Sequence, residues 1–203
     1  MRTKSVDRGA AAALAGLAAL AVCALTAGQR GRSLDRSLFR VLNRDRGPVA
    51  DAALRGVTEL GSIWASAGAA LALAATGRRR EAVDAFGAAG TMWLVGQILK
   101  RAVRRPRPYS SLDRFRLMID RPRGTSWPSS HPAVFLAFAT VACRDLDSPP
   151  AARGAADALA GVVGASRIYL GVHYPADVAG GLLLGRAVAD GWTALVSPLM
   201  GSR

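Results

Sequence analysis

Residues 9–28 read GAAAALAGLAALAVCALTAG, twenty residues without a charge, preceded by Arg2, Lys4 and Arg8. About 20 apolar residues span the hydrocarbon core of a bilayer. A secretory signal peptide has a shorter apolar core, about 7–15 residues, and ends in an A-x-A-like site. Leu25-Thr26-Ala27 matches such a site poorly, so the stretch is read as a spanning helix. Five more apolar runs follow it: Leu60–Gly77, stopped by Arg78-Arg79-Arg80; Ala85–Leu99, ending at Lys100; Pro132–Cys143; Gly154–Ala165, broken by Asp157; and Val178–Met200, interrupted by Arg186 and Asp190. The expected fold is an all-α polytopic membrane bundle of about six transmembrane helices, forming a single domain over residues 1–203. Arg186 and Asp190 stand at i, i+4 and are expected to pair, because isolated charges in a membrane bundle are costly. Gly181 and Gly185 are expected to let helices approach closely.

Composition agrees with runs of apolar residues separated by charge. Hydrophobic residues make up 51% of the chain, charged residues 20%, and mean hydropathy is +0.20. The net charge of +13 suits nucleic acid, an anionic membrane surface or a phosphorylated substrate. Lys4 and Lys100 are the only lysines, and an Ala/Gly/Arg-rich chain weakens arginine content as a nucleic-acid signal. With three Tyr and five Phe, the basic clusters lack the interleaved aromatics of a base-stacking surface; no nucleic-acid partner is expected. Cys23 and Cys143 both sit in apolar runs with no metal-ligand spacing, which excludes a disulfide framework or zinc site. In Ser33–Gly47, Leu34, Leu38, Val41 and Leu42 recur at helical spacing while Arg36, Arg40 and Arg44 face away. That pattern suits an amphipathic helix in the membrane interface, or equally a surface helix packed on the bundle.

Three clusters at the ends of the apolar runs carry chemistry. Lys100 and Arg107-Pro108 follow the third run; Pro128-Ser129-Ser130-His131-Pro132 opens the fourth; Ser166-Arg167, His173 and Asp177 join the fifth to the sixth. Each has a plainer reading: a stop signal after a membrane helix, a helix cap with proline at the first position, or a structural His–Asp pair. Both histidines of the chain fall in these clusters. If the fourth and fifth helices both cross, with residues 144–153 turning on the far side, all three clusters meet on one membrane face.

Lys100-x6-Arg107-Pro108, Pro128-Ser129-Ser130-His131 and Ser166-Arg167-x5-His173-x3-Asp177 resemble the three signatures of the type-2 phosphatidic acid phosphatase superfamily. The family's second motif usually carries Gly where this chain has Ser130. The resemblance implies a phosphatase in which His173 is the nucleophile, forming a phosphohistidine, and His131 protonates the leaving alkoxide and later takes a proton from water. Chemically, Lys100, Arg107 and Arg167 supply positive charge to a phosphoryl group. Ser129, Ser130 and amides at the helix start add neutral donors. Asp177, one helical turn beyond His173, is suited to hold its ring N–H. The opposed protonation states of the two histidines predict a bell-shaped pH profile. No acidic cluster suited to magnesium accompanies the motifs, so neither metal nor cofactor is expected.

A site at the membrane face favours an amphiphilic substrate: phosphatidate, phosphatidylglycerol phosphate, or an isoprenyl phosphate or diphosphate. The motifs do not choose among these, and they leave oligomeric state open. With six helices and the N-terminus inside, the site would face outward from a bacterial cell membrane, as the resemblance implies, although basic residues are not biased to the inner side. Phosphotransfer to an alcohol through the same site, and non-catalytic binding of anionic lipid, are the competing readings.

Overall fold

The structure is a computed structural model that describes residues 2–200, without the side chains of residues 2–6 and 200. The flanking charges of Arg2 and Lys4 thus lie outside the described residues. Eight α-helices are present among the described residues: α1 (Arg2–Ala27), α2 (Gln29–Leu42), α3 (Pro48–Glu59), α4 (Ile63–Ala75), α5 (Arg79–Val103), α6 (Ser130–Asp145), α7 (Pro150–Tyr169) and α8 (Pro175–Leu195), with 3-10 turns at Pro108–Ser110 and Ser197–Met200. The all-helical fold is as expected, and each of the six apolar runs lies for most of its length on a helix, α1 and α4 to α8. Local chemistry sets many boundaries. Pro48, Pro150 and Pro175 open α3, α7 and α8, where a missing N–H costs nothing. Ser62 Oγ accepts from the Ala65 amide at 3.0 Å and caps α4.

The helix α3 lies outside all of the apolar runs. It meets α4 at an angle of 63°, forming a bent pair. By length and apolar composition two helical stretches can cross a membrane, Asp7–Ala27 and Arg79–Ser110, or three with the bent pair counted as one. About six was the expectation. The reason for the difference is physical: α6 has only 16 residues, about 24 Å of rise against a hydrocarbon core of about 30 Å. The helices α7 and α8 carry charges within their length.

The helices α6 and α8 form the centre. Ala133, Val134 and Ala137 of α6 pack with Leu184 of α8, Ala89 and Met92 of α5, Ala19 of α1 and Trp127. A Cβ on Gly181 would collide with the Ser129 carbonyl, and one on Gly185 would come within 2.6 Å of the Ala133 carbonyl. Both glycines therefore do permit the close approach of α8 to α6. At the end remote from the motifs, Arg144 pairs with Asp84 and with Asp145. Arg186 does not pair with Asp190. Its guanidinium reaches Asp157 of α7 at 3.5 Å, because a neighbouring helix offers a carboxylate that the i, i+4 spacing alone cannot reveal.

The apolar face of α2 does not pack on the bundle. Leu34, Leu38, Val41 and Leu42 are exposed, whereas Asp35 and Phe39 are buried. Phe39 packs with Ile168, Tyr174 and Val178, so α2 is held to α7 and α8 by a stripe different from the leucine face. Beyond α2, Asn43 donates to the Arg116 and Tyr169 carbonyls at 2.8 and 2.7 Å and accepts from the Arg116 amide at 2.7 Å. This ties the long segment after α5 against the end of α7.

Candidate active site

The C-terminal ends of α5 and α7 and the N-terminal ends of α6 and α8 converge. At their meeting point is a cavity of about 260 Å³ walled by Lys100, Arg107, Ser130, His131, Arg167 and His173. Six of the eight expected site residues thus line one hollow. Asp177 stands behind His173, fully buried, and Ser129 is also fully buried.

His173 is presented by the short link from α7 to α8. Gly171 has φ +85°, a left-handed conformation that stops the helix and that a side chain would strain. The Val172 and His173 amides turn back onto the Arg167 carbonyl at 3.2 and 3.3 Å. The His173 ring then meets Arg107, whose Nη1 lies 3.1 Å from Nε2. A guanidinium has only donors, so Nε2 must accept, and in the neutral ring the proton belongs on Nδ1. On the Nδ1 side are Ser126 Oγ and Asp177 Oδ2, each at 3.5 Å. Burial, then the charges of Arg107, Arg167 and Lys100, hold the His173 imidazole well below the ordinary histidine range, against a raising contribution from the Ser126 backbone. The ring is therefore neutral at physiological pH, with a lone pair on the nitrogen that points toward the cations.

Asp177 is more than a partner of His173. Its Oδ1 accepts from Arg105 Nη1 at 2.7 Å; its Oδ2 accepts from the Tyr174 amide at 2.8 Å and from the Ser126 hydroxyl. As the third residue of α8 it caps that helix, and its Oδ2 stands 3.5 Å from the His173 ring. Arg105 in turn pairs with Asp35 and lies 4.7 Å from the Tyr174 ring centre. Asp35 also accepts from the Ala176 amide at 2.9 Å.

The cations are anchored individually. Arg107 donates to the Gly124 and Val172 carbonyls at 3.0 and 2.9 Å. Arg167 donates from Nη1 to Thr58 Oγ1 at 2.9 Å, while its buried Nε has no partner among the described residues. Lys100 Nζ donates to Ser130 Oγ at 3.0 Å. The serine that replaces the usual glycine is therefore the lysine's holder, and Gly96 makes room for it: a Cβ there would come within 3.1 Å of Ser130 Oγ. The Ser129 amide donates to the Asp177 carbonyl at 2.9 Å. Its hydroxyl, buried without a partner among the described residues, is the free donor. His131 is seated by the α3–α4 elbow, where a Cβ on Gly61 would lie 2.7 Å from the His131 Cβ. Among the described residues no three His, Cys, Asp or Glu side chains are grouped to hold a metal ion.

Several of these residues escape sequence reading. Thr58, Gly61 and Ser126 carry no motif of their own. Asp35 does leave a trace, as an acid in a basic helix placed one turn before Phe39.

The model of the PAP2 superfamily matches residues 81–200. Over 132 residues the chain is 35% identical to the decaprenylphosphoryl-5-phosphoribose phosphatase of Mycobacterium tuberculosis, covering 65% of this chain and 68% of that one. In fold it resembles a transmembrane PAP2-type phosphatidylglycerolphosphate phosphatase from Bacillus subtilis, with a TM-score of 0.75, 23% identity, and 90% and 94% of the two chains covered. It also resembles Aquifex aeolicus LpxE, with a TM-score of 0.71, 26% identity, and 79% and 94% covered. With the family model matching more than half its length, and its motif residues gathered around one basic cavity, the chain belongs to the PAP2 superfamily.

Proposed function

We propose that this PAP2-superfamily phosphatase hydrolyses a lipid phosphate or diphosphate, without a metal ion, through a phosphohistidine on His173. The observation that carries the reading is the single cavity walled by both histidines together with Lys100, Arg107 and Arg167. A transferring phosphoryl group spreads negative charge over its equatorial oxygens, and three cations walling one cavity stabilise that charge strongly. His173 Nε2 attacks phosphorus, the bond from phosphorus to the alkoxide oxygen breaks, and His131 delivers a proton to that oxygen. Water then attacks the phosphohistidine, His131 takes the water proton, and orthophosphate leaves with His173 restored. Ser126 and Asp177 steady the Nδ1 side of the ring while Nε2 carries the phosphoryl group. Arg107 Nη1, which rests on Nε2, turns to the phosphoryl oxygens when substrate enters.

The same reading places α1, the α3–α4 elbow, α5, α6, α7 and α8 across the membrane as six crossings, with α2 in the interface. The exposed Leu34, Leu38 and Val41 of α2 and Leu14, Leu17 and Leu20 of α1 support contact with lipid. With the N-terminus inside, the cavity faces outward. A lipid tail then remains in the bilayer while its phosphate reaches the cations. The mycobacterial relative is named for a decaprenylphosphoryl-linked phosphoribose, which supports an isoprenoid-anchored phosphate among the substrates.

The test is phosphate release by the detergent-purified chain in EDTA from phosphatidate, phosphatidylglycerol phosphate, isoprenyl phosphates and diphosphates, and a polyprenyl phosphoribose phosphate. At least one is expected to be hydrolysed, with acid-labile phosphate trapped on His173. Activity that requires added magnesium would end the metal-free reading, and labelling elsewhere would end the nucleophile assignment.

A further inference from the structure

On the other side of Asp177 from His173, the molecule has a second and larger hollow. It measures about 570 Å³ and shares no wall residue with the catalytic cavity. It opens between the end of α1, the first turns of α2 and the segment leaving α5. Cys23 and Val103, both half-buried, give it an apolar floor, and the exposed Arg32, Arg36 and Arg104 give it a basic rim beside the more buried Arg105.

The charge on that rim is not balanced from within. Arg105 is committed to Asp35 and Asp177. Arg32 and Arg36, one turn apart on α2, form no ion pair among the described residues. Arg104 uses its Nε on the Arg101 carbonyl at 3.1 Å. A soluble anion would satisfy the arginines and leave the apolar floor wet. A lipid with an anionic headgroup satisfies both, the head on the rim and the upper chain on the floor. The surroundings favour it, since α1 exposes Leu20 and Leu25, and α2 exposes Leu34 and Leu38.

We propose that this hollow is a binding site for an anionic phospholipid, separate from the substrate cavity, with its phosphate held by Arg32, Arg36 and Arg104. Because Arg105 forms one wall and also holds Asp177, the bound lipid lies one side chain away from the carboxylate that braces His173.

The experiment uses the full chain in neutral detergent with phosphatidylglycerol, a phosphodiester with no terminal phosphate to lose, and counts retained lipid by native mass spectrometry. One phosphatidylglycerol per chain is expected, with phosphatidylcholine not retained. The double variant Arg32→Ala, Arg36→Ala is expected to bind about thirtyfold more weakly, from roughly fivefold per arginine. Its phosphate release in EDTA should persist, which shows that the variant is folded. Millimolar inorganic phosphate should leave the lipid in place; displacement would make this a free-anion site and overturn the lipid assignment. Equal retention by the double variant, or equal retention of phosphatidylcholine, would overturn the proposal. So would loss of the lipid in Arg107→Ala alone, which would put it in the catalytic cavity.

Discussion

Arg105 Nη1 lies 2.7 Å from Asp177 Oδ1, and the same guanidinium pairs with Asp35, so two buried carboxylates share one arginine that stands at an unspecified position of the first motif. Asp177 is fully buried, and its charge is tolerable only with such a partner. Arg105→Leu is therefore expected to destabilise the chain by about 3–5 kcal/mol, the cost of leaving buried charge unpaired. It should also lower kcat by tenfold or more, about 1.4 kcal/mol of barrier, as the Asp177 brace loosens. Arg105→Lys should recover part of both losses. Thermal unfolding in detergent alongside kcat would show it; an unchanged Tm in Arg105→Leu would refute the dependence.

The assigned role of His131 is to protonate the leaving oxygen, so its loss should depend on the leaving group. His131→Ala is expected to slow hydrolysis of an alkyl phosphate about 10²–10⁴-fold. An aryl phosphate, whose leaving oxygen needs little protonation, should lose far less. His173→Ala should abolish turnover of both substrates while leaving substrate binding largely intact. Equal losses on both substrates in His131→Ala would remove it from the acid role.

The pH profile should carry the signature of His173. Its imidazole is held well below the ordinary histidine range by burial and by the charges of Arg107, Arg167 and Lys100. As the proposed nucleophile the ring must be neutral, so activity is expected to fall as pH drops through that depressed value and the ring takes a proton. The acid limb of kcat/KM is thus expected below about pH 6.5, the unperturbed histidine value. An acid limb centred above pH 7 would contradict the assignment of His173 as the buried nucleophile.

Gly61 is a steric requirement of the site. A Cβ there would stand 2.7 Å from the Cβ and carbonyl oxygen of His131. Gly61→Ala should push the α3–α4 elbow from α6, costing about 1–3 kcal/mol as overpacking does, and displace the His131 ring. Expected are a fall in kcat of at least tenfold and an unchanged helical circular dichroism spectrum. Full activity would mean that the elbow can move without disturbing His131.

The helical character of the chain and most of the residues that wall its basic cavity could be read residue by residue, because both leave local marks in the sequence. Apolar runs such as 9–28 and 85–99 need only their own composition to announce a helix. The cluster around His131 and the spacing from Arg167 to Asp177 carry the resemblance to the PAP2 superfamily, which is where the expectation of phosphate chemistry came from. Even α3 left a local mark, Gly47 followed by Pro48 at a helix start. What supports those groups was not legible, because the supporting contacts join residues far apart in the chain. Arg105 reaches Asp35 across 70 residues, Ser126 reaches Asp177 across 51, and Arg167 reaches Thr58 across 109. A periodicity of 3.6 says which residues share a helix face, but not which helix that face will meet. Thus Arg186 found Asp157 rather than Asp190, and α2 turned Asp35 and Phe39 inward while its leucines faced out. Those choices were made by packing, where each buried charge takes the partner that the assembled bundle brings within reach.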